Sequence, residues 1–103
     1  MVNNRIWFAL VGVRPMENND YIPDADGAYV DVACVATTED EFISKLKKNF
    51  EHNRFEVFEI EDIETEDTLN VVNEENAEKI TLMLEIKEGY NFAWGTFHTF
   101  NDQ

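Results

Sequence analysis

Apolar residues line both sides of residues 5–13: Ile6, Phe8 and Leu10 alternate with Trp7, Ala9 and Val11. A strand that is apolar on both faces belongs inside a sheet. Residues 14–27 carry turn chemistry throughout, with Arg14-Pro15, Asn18-Asn19-Asp20, Pro23-Asp24 and Asp26-Gly27. A second strand follows over 28–36, where Tyr29, Val30, Val32, Cys34 and Val35 supply β-type residues.

The next segment is helical. Thr38 is placed as an N-cap with Glu41 three residues on, a capping box, and Glu39, Asp40 and Glu41 put acid in the first turn. Phe42, Leu46 and Phe50 recur every four residues as one apolar stripe, with Ile43 beside it. Lys45, Lys47, Lys48 and His52 fall towards the end that favours cations, and Asn53 is the expected left-handed stop. The predicted helix spans 39–52.

A third strand is predicted over 54–61. Its alternation slips between Val57 and Phe58, the signature of a bulge. A short strand over 68–72 is expected to pair with it. Between a candidate N-cap at Asn73 and a candidate C-cap at Gly89, the chain fits two periods. Ala77, Ile80 and Leu84 make a helical stripe, while Ile80, Leu82, Leu84 and Ile86 alternate as a strand would. The caps and the Glu, Lys, Met and Leu content favour helix. Residues 91–100 form the last predicted strand, dense in Phe92, Trp94, Phe97 and Phe100.

The resulting order predicts one α+β domain over residues 1–103. It is a two-layer sandwich in ferredoxin-like order, (β)βαββαβ, with a mostly antiparallel sheet and two helices on one face. Such an architecture hosts many functions and names none.

Charge changes the picture more than composition does. There are 22 Asp+Glu against 8 Lys+Arg, a net charge of -14. Hydrophobic residues at 44% and aromatics at 13% exclude a disordered acidic tail. The scarcity of cations argues against direct nucleic-acid binding. Cys34, the single cysteine, cannot form an internal disulfide, which favours a reducing, cytoplasmic setting. Neither a secretory leader nor a membrane span is expected from the eight-residue apolar run over 6–13.

The acids are concentrated. Glu56, Glu59, Glu61, Asp62, Glu64, Glu66, Asp67, Glu74, Glu75 and Glu78 lie in one window that holds no Lys or Arg. These ten are the candidate partner-binding residues, because such a field steers and captures a basic surface. A solvated face that merely maintains solubility is the plain alternative.

Other constellations carry less. Asp24-Ala25-Asp26-Gly27 fails as a calcium loop: aligning Gly27 to the invariant glycine puts Ile22 and Ala33 at ligand positions. His98 has no nucleophile or metal-type companion at telling spacing, and Cys34 reads as a buried, inert thiol. No catalytic residue, cofactor or metal site is expected. The aromatics at 90–100 read as core more readily than as a base-stacking platform, which needs cations nearby.

A small acidic binding protein is the expectation, one that sequesters a basic protein partner by electrostatic occlusion. In general character it resembles immunity proteins that neutralise nuclease-type toxins. A DNA mimic of phage origin that blocks a nucleic-acid-binding protein is the alternative with the same physics. A small-ligand-binding domain built on the 14–27 loop and His98 is the alternative with different physics.

Overall fold

The computed structural model describes residues 4–68 and 77–101. Strands β1 (Arg5–Pro15) and β2 (Gly27–Ala36) are followed by helix α1 (Glu39–His52), β3 (Phe55–Thr65), helix α2 (Ala77–Lys87), β4 (Phe92–Trp94) and β5 (His98–Phe100). The sheet runs β3-β1-β2-β4, with β5 also on β2, and every pairing is antiparallel. The expected α+β class, with an antiparallel sheet and two helices, is therefore present, and the described sheet has five strands. The expected strand over 68–72, and the cap at Asn73, lie outside the described residues.

One expectation is overturned. The two helices do not share a face. Phe42, Leu46 and Phe50 of α1 pack with Ala9, Val11 and Val13 of β1 and with Val30, Val32 and Cys34 of β2. Leu82 and Ile86 of α2 pack with Ile6, Phe8 and Ala33, the alternate residues of the same strands. Successive strand side chains point to opposite faces, so α1 and α2 sandwich the sheet between them. The cause is the inner strands: with both faces apolar, one helix layer would leave the other face in water.

Local signals set the helix ends. Thr38 accepts from the Glu41 N–H at 3.1 Å and caps α1 as expected. The reciprocal half of the box goes elsewhere, because Glu41 accepts from the Thr37 hydroxyl at 2.7 Å. That bond and the neighbouring Lys45 hold the Glu41 carboxyl below its ordinary range. Past the end of α1 the left-handed residue is Arg54 (φ 66°), not Asn53, whose side-chain amide instead donates to Asn49 O. Helix α2 closes at Gly89 (φ 121°), with Gly89 N–H to Ile86 O and Tyr90 N–H to Glu85 O, a Schellman arrangement.

The expected bulge is present. Gly12 pairs with Glu59 and Val13 with Val57, leaving Phe58 as the extra residue. A second irregularity between Phe8 and Leu10 places Asp62 at φ 54°. The last strand is broken rather than continuous: β4 pairs with Val32–Cys34, β5 with Gly27–Tyr29, and residues 95–97 bridge the gap.

The long loop after β1 is pinned by one side chain. Asn19 is 5% exposed and spends its whole amide on backbone. Its Nδ2 donates to Asn53 O (3.3 Å) and Arg54 O (2.8 Å), and its Oδ1 accepts from Tyr21 N (2.9 Å) and Ile22 N (2.8 Å). This carries Tyr21 over Phe55 and Trp94 and Ile22 into the α1-side core. Asn19→Ala strands buried backbone groups, and urea unfolding should show a loss of about 2–3 kcal/mol. A loss below about 0.5 kcal/mol contradicts this role for Asn19.

Candidate functional site

The face under α2 is only partly covered. Helix α2 lies over Ile6, Phe8, Ala33 and Ala93. Beyond it, the same face continues through Leu10, Gly12 and Arg14 of β1, Tyr29 and Asp31 of β2, and His98 and Phe100 of β5, which pair across the sheet. On the other side Glu61, Glu59 and Glu56 of β3 stand opposite Leu10, Gly12 and Arg14. The pairing register thus gathers three of the sequence-predicted acids onto the open part of this face, with Glu64 farther along it opposite Phe8.

Its centre is aromatic. Tyr29 contacts Phe58 and Phe100 at ring-centroid distances of 5.8 Å each, and Phe58 meets Phe100 edge-on at 6.3 Å. Gly12 makes the room: a Cβ there would stand 2.7 Å from Phe58 Cζ and 3.1 Å from Tyr29 Cε1. The Arg14 guanidinium lies over Phe58 at 4.9 Å and near Phe100 at 6.0 Å. Phe58 keeps 37% of its surface exposed.

Two carboxyl pairs flank this centre. The Tyr29 hydroxyl donates to Glu59 Oε1 at 3.1 Å, and that bond leads the causes holding the Tyr29 pKa above its ordinary value. Glu61 adjoins Glu59 two residues along the strand, and the hydrogen bond and charge of Glu59 raise the Glu61 carboxyl. On the other flank Asp31 faces Glu78 of α2. Burial raises the Asp31 carboxyl, the contact with Glu78 raises it further, and Lys79 and His98 act in the opposite sense. Glu78 Oε1 is shielded from solvent with no hydrogen-bond donor among the described residues, while Thr96 N–H reaches its Oε2 at 3.4 Å. A Cβ on Gly95 would collide with this carboxylate, which accounts for glycine at the break between β4 and β5.

The remaining predicted acids divide. Glu64 is paired with Lys79 at 2.7 Å and Asp67 with Arg5 at 3.5 Å, so both are partly neutralised. Asp62 is exposed at the second bulge, and Glu66 is half-buried in the 3-10 turn Glu66–Thr68. Glu74 and Glu75 lie outside the described residues. Sequence reading missed Tyr29, Phe58, Phe100 and Arg14 as site residues. Only the slip at Phe58 hinted that an aromatic would be pushed out of the core.

The alternatives built on other residues gain nothing here. His98 is exposed on β5 rather than enclosed. Cys34 is buried as expected, and burial pushes its thiol up to about 11. Phe92, Trp94 and Phe97 are partly buried and pack against the α1-side core. Among the described residues, no group of three or more His, Cys, Asp or Glu is placed to hold a metal ion, and no helix is long and apolar enough to cross a membrane.

The Asp31–Glu78 pair makes a pH prediction. A carboxyl raised in the folded state binds its proton more tightly there than in the unfolded chain. Its stabilising contribution is full below the ordinary Asp value and is lost as pH rises through the raised one. Asp31→Asn keeps a donor facing Glu78 at every pH. It should raise Tm at pH 7 by about 2–6 °C, after discounting for solvent screening, with the difference shrinking towards pH 4. A lower Tm for Asp31→Asn at pH 7 contradicts the pair.

Comparison with protein-family models, with curated proteins and with solved structures gives no match for this chain.

Proposed function

We propose that the protein is a non-enzymatic binding module whose open half-sheet, between α2 and the β1–β2 turn region, docks an arginine- or lysine-bearing surface of a basic protein and occludes it. One observation carries this reading: Arg14 already lies over the rings of Phe58 and Phe100 on the face that Glu56, Glu59 and Glu61 border. Aromatic faces bordered by carboxylates suit guanidinium and ammonium groups, and the chain's own arginine uses that chemistry. The Glu59–Glu61 pair adds to it: their hydrogen bond and then their like charge raise the Glu61 carboxyl, and an incoming cation favours the ionised form of both.

The same geometry favours a basic protein over imitation of duplex DNA. Glu56 to Glu61 spans about 16 Å of strand. Duplex DNA carries about ten charges over that length. The row holds three. A compact acidic patch with aromatic anchors fits a protein partner, for which exposed aromatics set the dissociation rate and the acids set the association rate. An immunity-type protein, bound to a nuclease-like toxin through the cations that toxin uses on phosphates, is the form of this function that the charge best supports.

The test is affinity capture from the native host with the wild-type chain and with Glu56→Gln/Glu59→Gln/Glu61→Gln. A partner of strongly basic composition should be held by the wild type. The triple variant should bind it at least about tenfold more weakly, with the wild-type affinity falling as salt rises. Capture that is unchanged in the variant, or insensitive to salt, overturns the proposal, as does displacement of the partner from the wild type only by a neutral competitor.

A further inference from the structure

A groove of about 550 Å³ lies between the flank of α1 and the β2–β4 end of the sheet, on the opposite side of the sheet from the open half-face. Its chemistry inverts that of the molecule. Lys45, Lys48 and His52 line it, and no acid does, in a chain whose net charge is -14. These three with Asn49 fall at i, i+3, i+4 and i+7, which is one stripe of a helix. Compensation of the helix dipole explains cations late in α1. It does not explain their sorting by flank: Lys47 lines a different groove, beside Glu51 and Glu56.

The wall is partly built and partly vacant of partners. Lys45 is fixed, with Nζ donating to Val35 O at 2.9 Å and pairing with Glu41 at 3.0 Å. Lys48 and His52 have no hydrogen-bond or ion-pair partner among the described residues. The floor is Phe92 and the Cys34 thiol, which stays neutral because burial raises it to about 11 and so presents no thiolate to repel an anion. Asn91 adds an amide at the rim.

We infer that this groove binds a small organic anion, with a carboxylate or phosphate head between Lys48 and His52 and a flat apolar body on Phe92. The volume falls within the range of small-molecule sites, and a few convergent polar groups over an apolar floor are their usual construction. The site is independent of the acidic half-face: the two share no residue.

Titration of the ¹⁵N-labelled chain with benzoate, phenyl phosphate, inorganic phosphate and neutral benzamide tests this. Benzoate or phenyl phosphate should saturate at millimolar concentration and shift the Asn49, His52 and Asn91 resonances. Whichever of the two binds more tightly identifies the head group, and inorganic phosphate should bind more weakly than phenyl phosphate for lack of the ring. Lys48→Gln should weaken binding about five- to tenfold, while Lys47→Gln, on the other flank, should leave it unchanged. Benzamide binding as tightly as benzoate, equal effects of the two lysine variants, or absence of saturable binding by either aryl anion overturns the inference.

Discussion

Everything in this structure follows from the pairing of β1 with β2, two strands that are apolar on both faces and joined over nine paired positions. Such a pair exposes two apolar surfaces, and the chain must cover both. The side under α1 is closed by a 14-residue helix and by the loop that Asn19 ties down, with Tyr21 and Ile22 as its lid. The other side has α2, whose 11 residues reach about 16 Å along a β1 strand that extends about 36 Å. Less than half of that face can lie beneath the helix.

The uncovered remainder is not left apolar. Phe58 is turned out of the strand alternation by a bulge, Gly12 gives it room, and Tyr29 and Phe100 complete a ring cluster that Arg14 overlies. Carboxylates stand along the β3 side, and Asp31 with Glu78 on the other. Burial and the contact with Glu78 raise the Asp31 carboxyl, and the hydrogen bond and charge of Glu59 raise that of Glu61. The carboxyl pairs stand beside a ring cluster of which Phe58 is exposed and Tyr29 and Phe100 are half-buried. Acids border the open half-sheet, and Lys45, Lys48 and His52 line one flank of α1.

What the sequence revealed and what it concealed divide along the range of the interactions. Helix α1 is legible to the residue, because Thr38, the acidic first turn and the Phe42–Leu46–Phe50 stripe are all local signals. The slip at Phe58 locates its bulge for the same reason. Helix α2 is legible through its Gly89 cap and its composition but not its periodicity, since Ile80 to Ile86 fits two periods. The sidedness of the helices is not legible in this way. It is decided by which alternate residues of β1 and β2 each helix meets, a matter of crossover geometry that no local window holds. Strand β3 runs past the expected end at Glu61 because the bulge at Asp62 breaks the alternation between Ile60 and Ile63. The acidic cluster is visible as a run, yet the register with β1 is needed to bring Glu56, Glu59 and Glu61 onto the open part of one face, and ion pairs with Lys79 and Arg5 set Glu64 and Asp67 apart from them. Tyr29, Phe58 and Phe100 come from three strands, and nothing in their spacing announces a cluster.

The central claim is that the half-sheet left open by α2 is the working surface. Hydrogen exchange of the chain, free and saturated with a captured basic partner, tests it most directly. The account predicts added protection over residues 56–61, around Tyr29 and along His98–Phe100, with α1 unchanged. Protection confined to α1, or to the outer surface of α2 at residues such as Leu84, would contradict it.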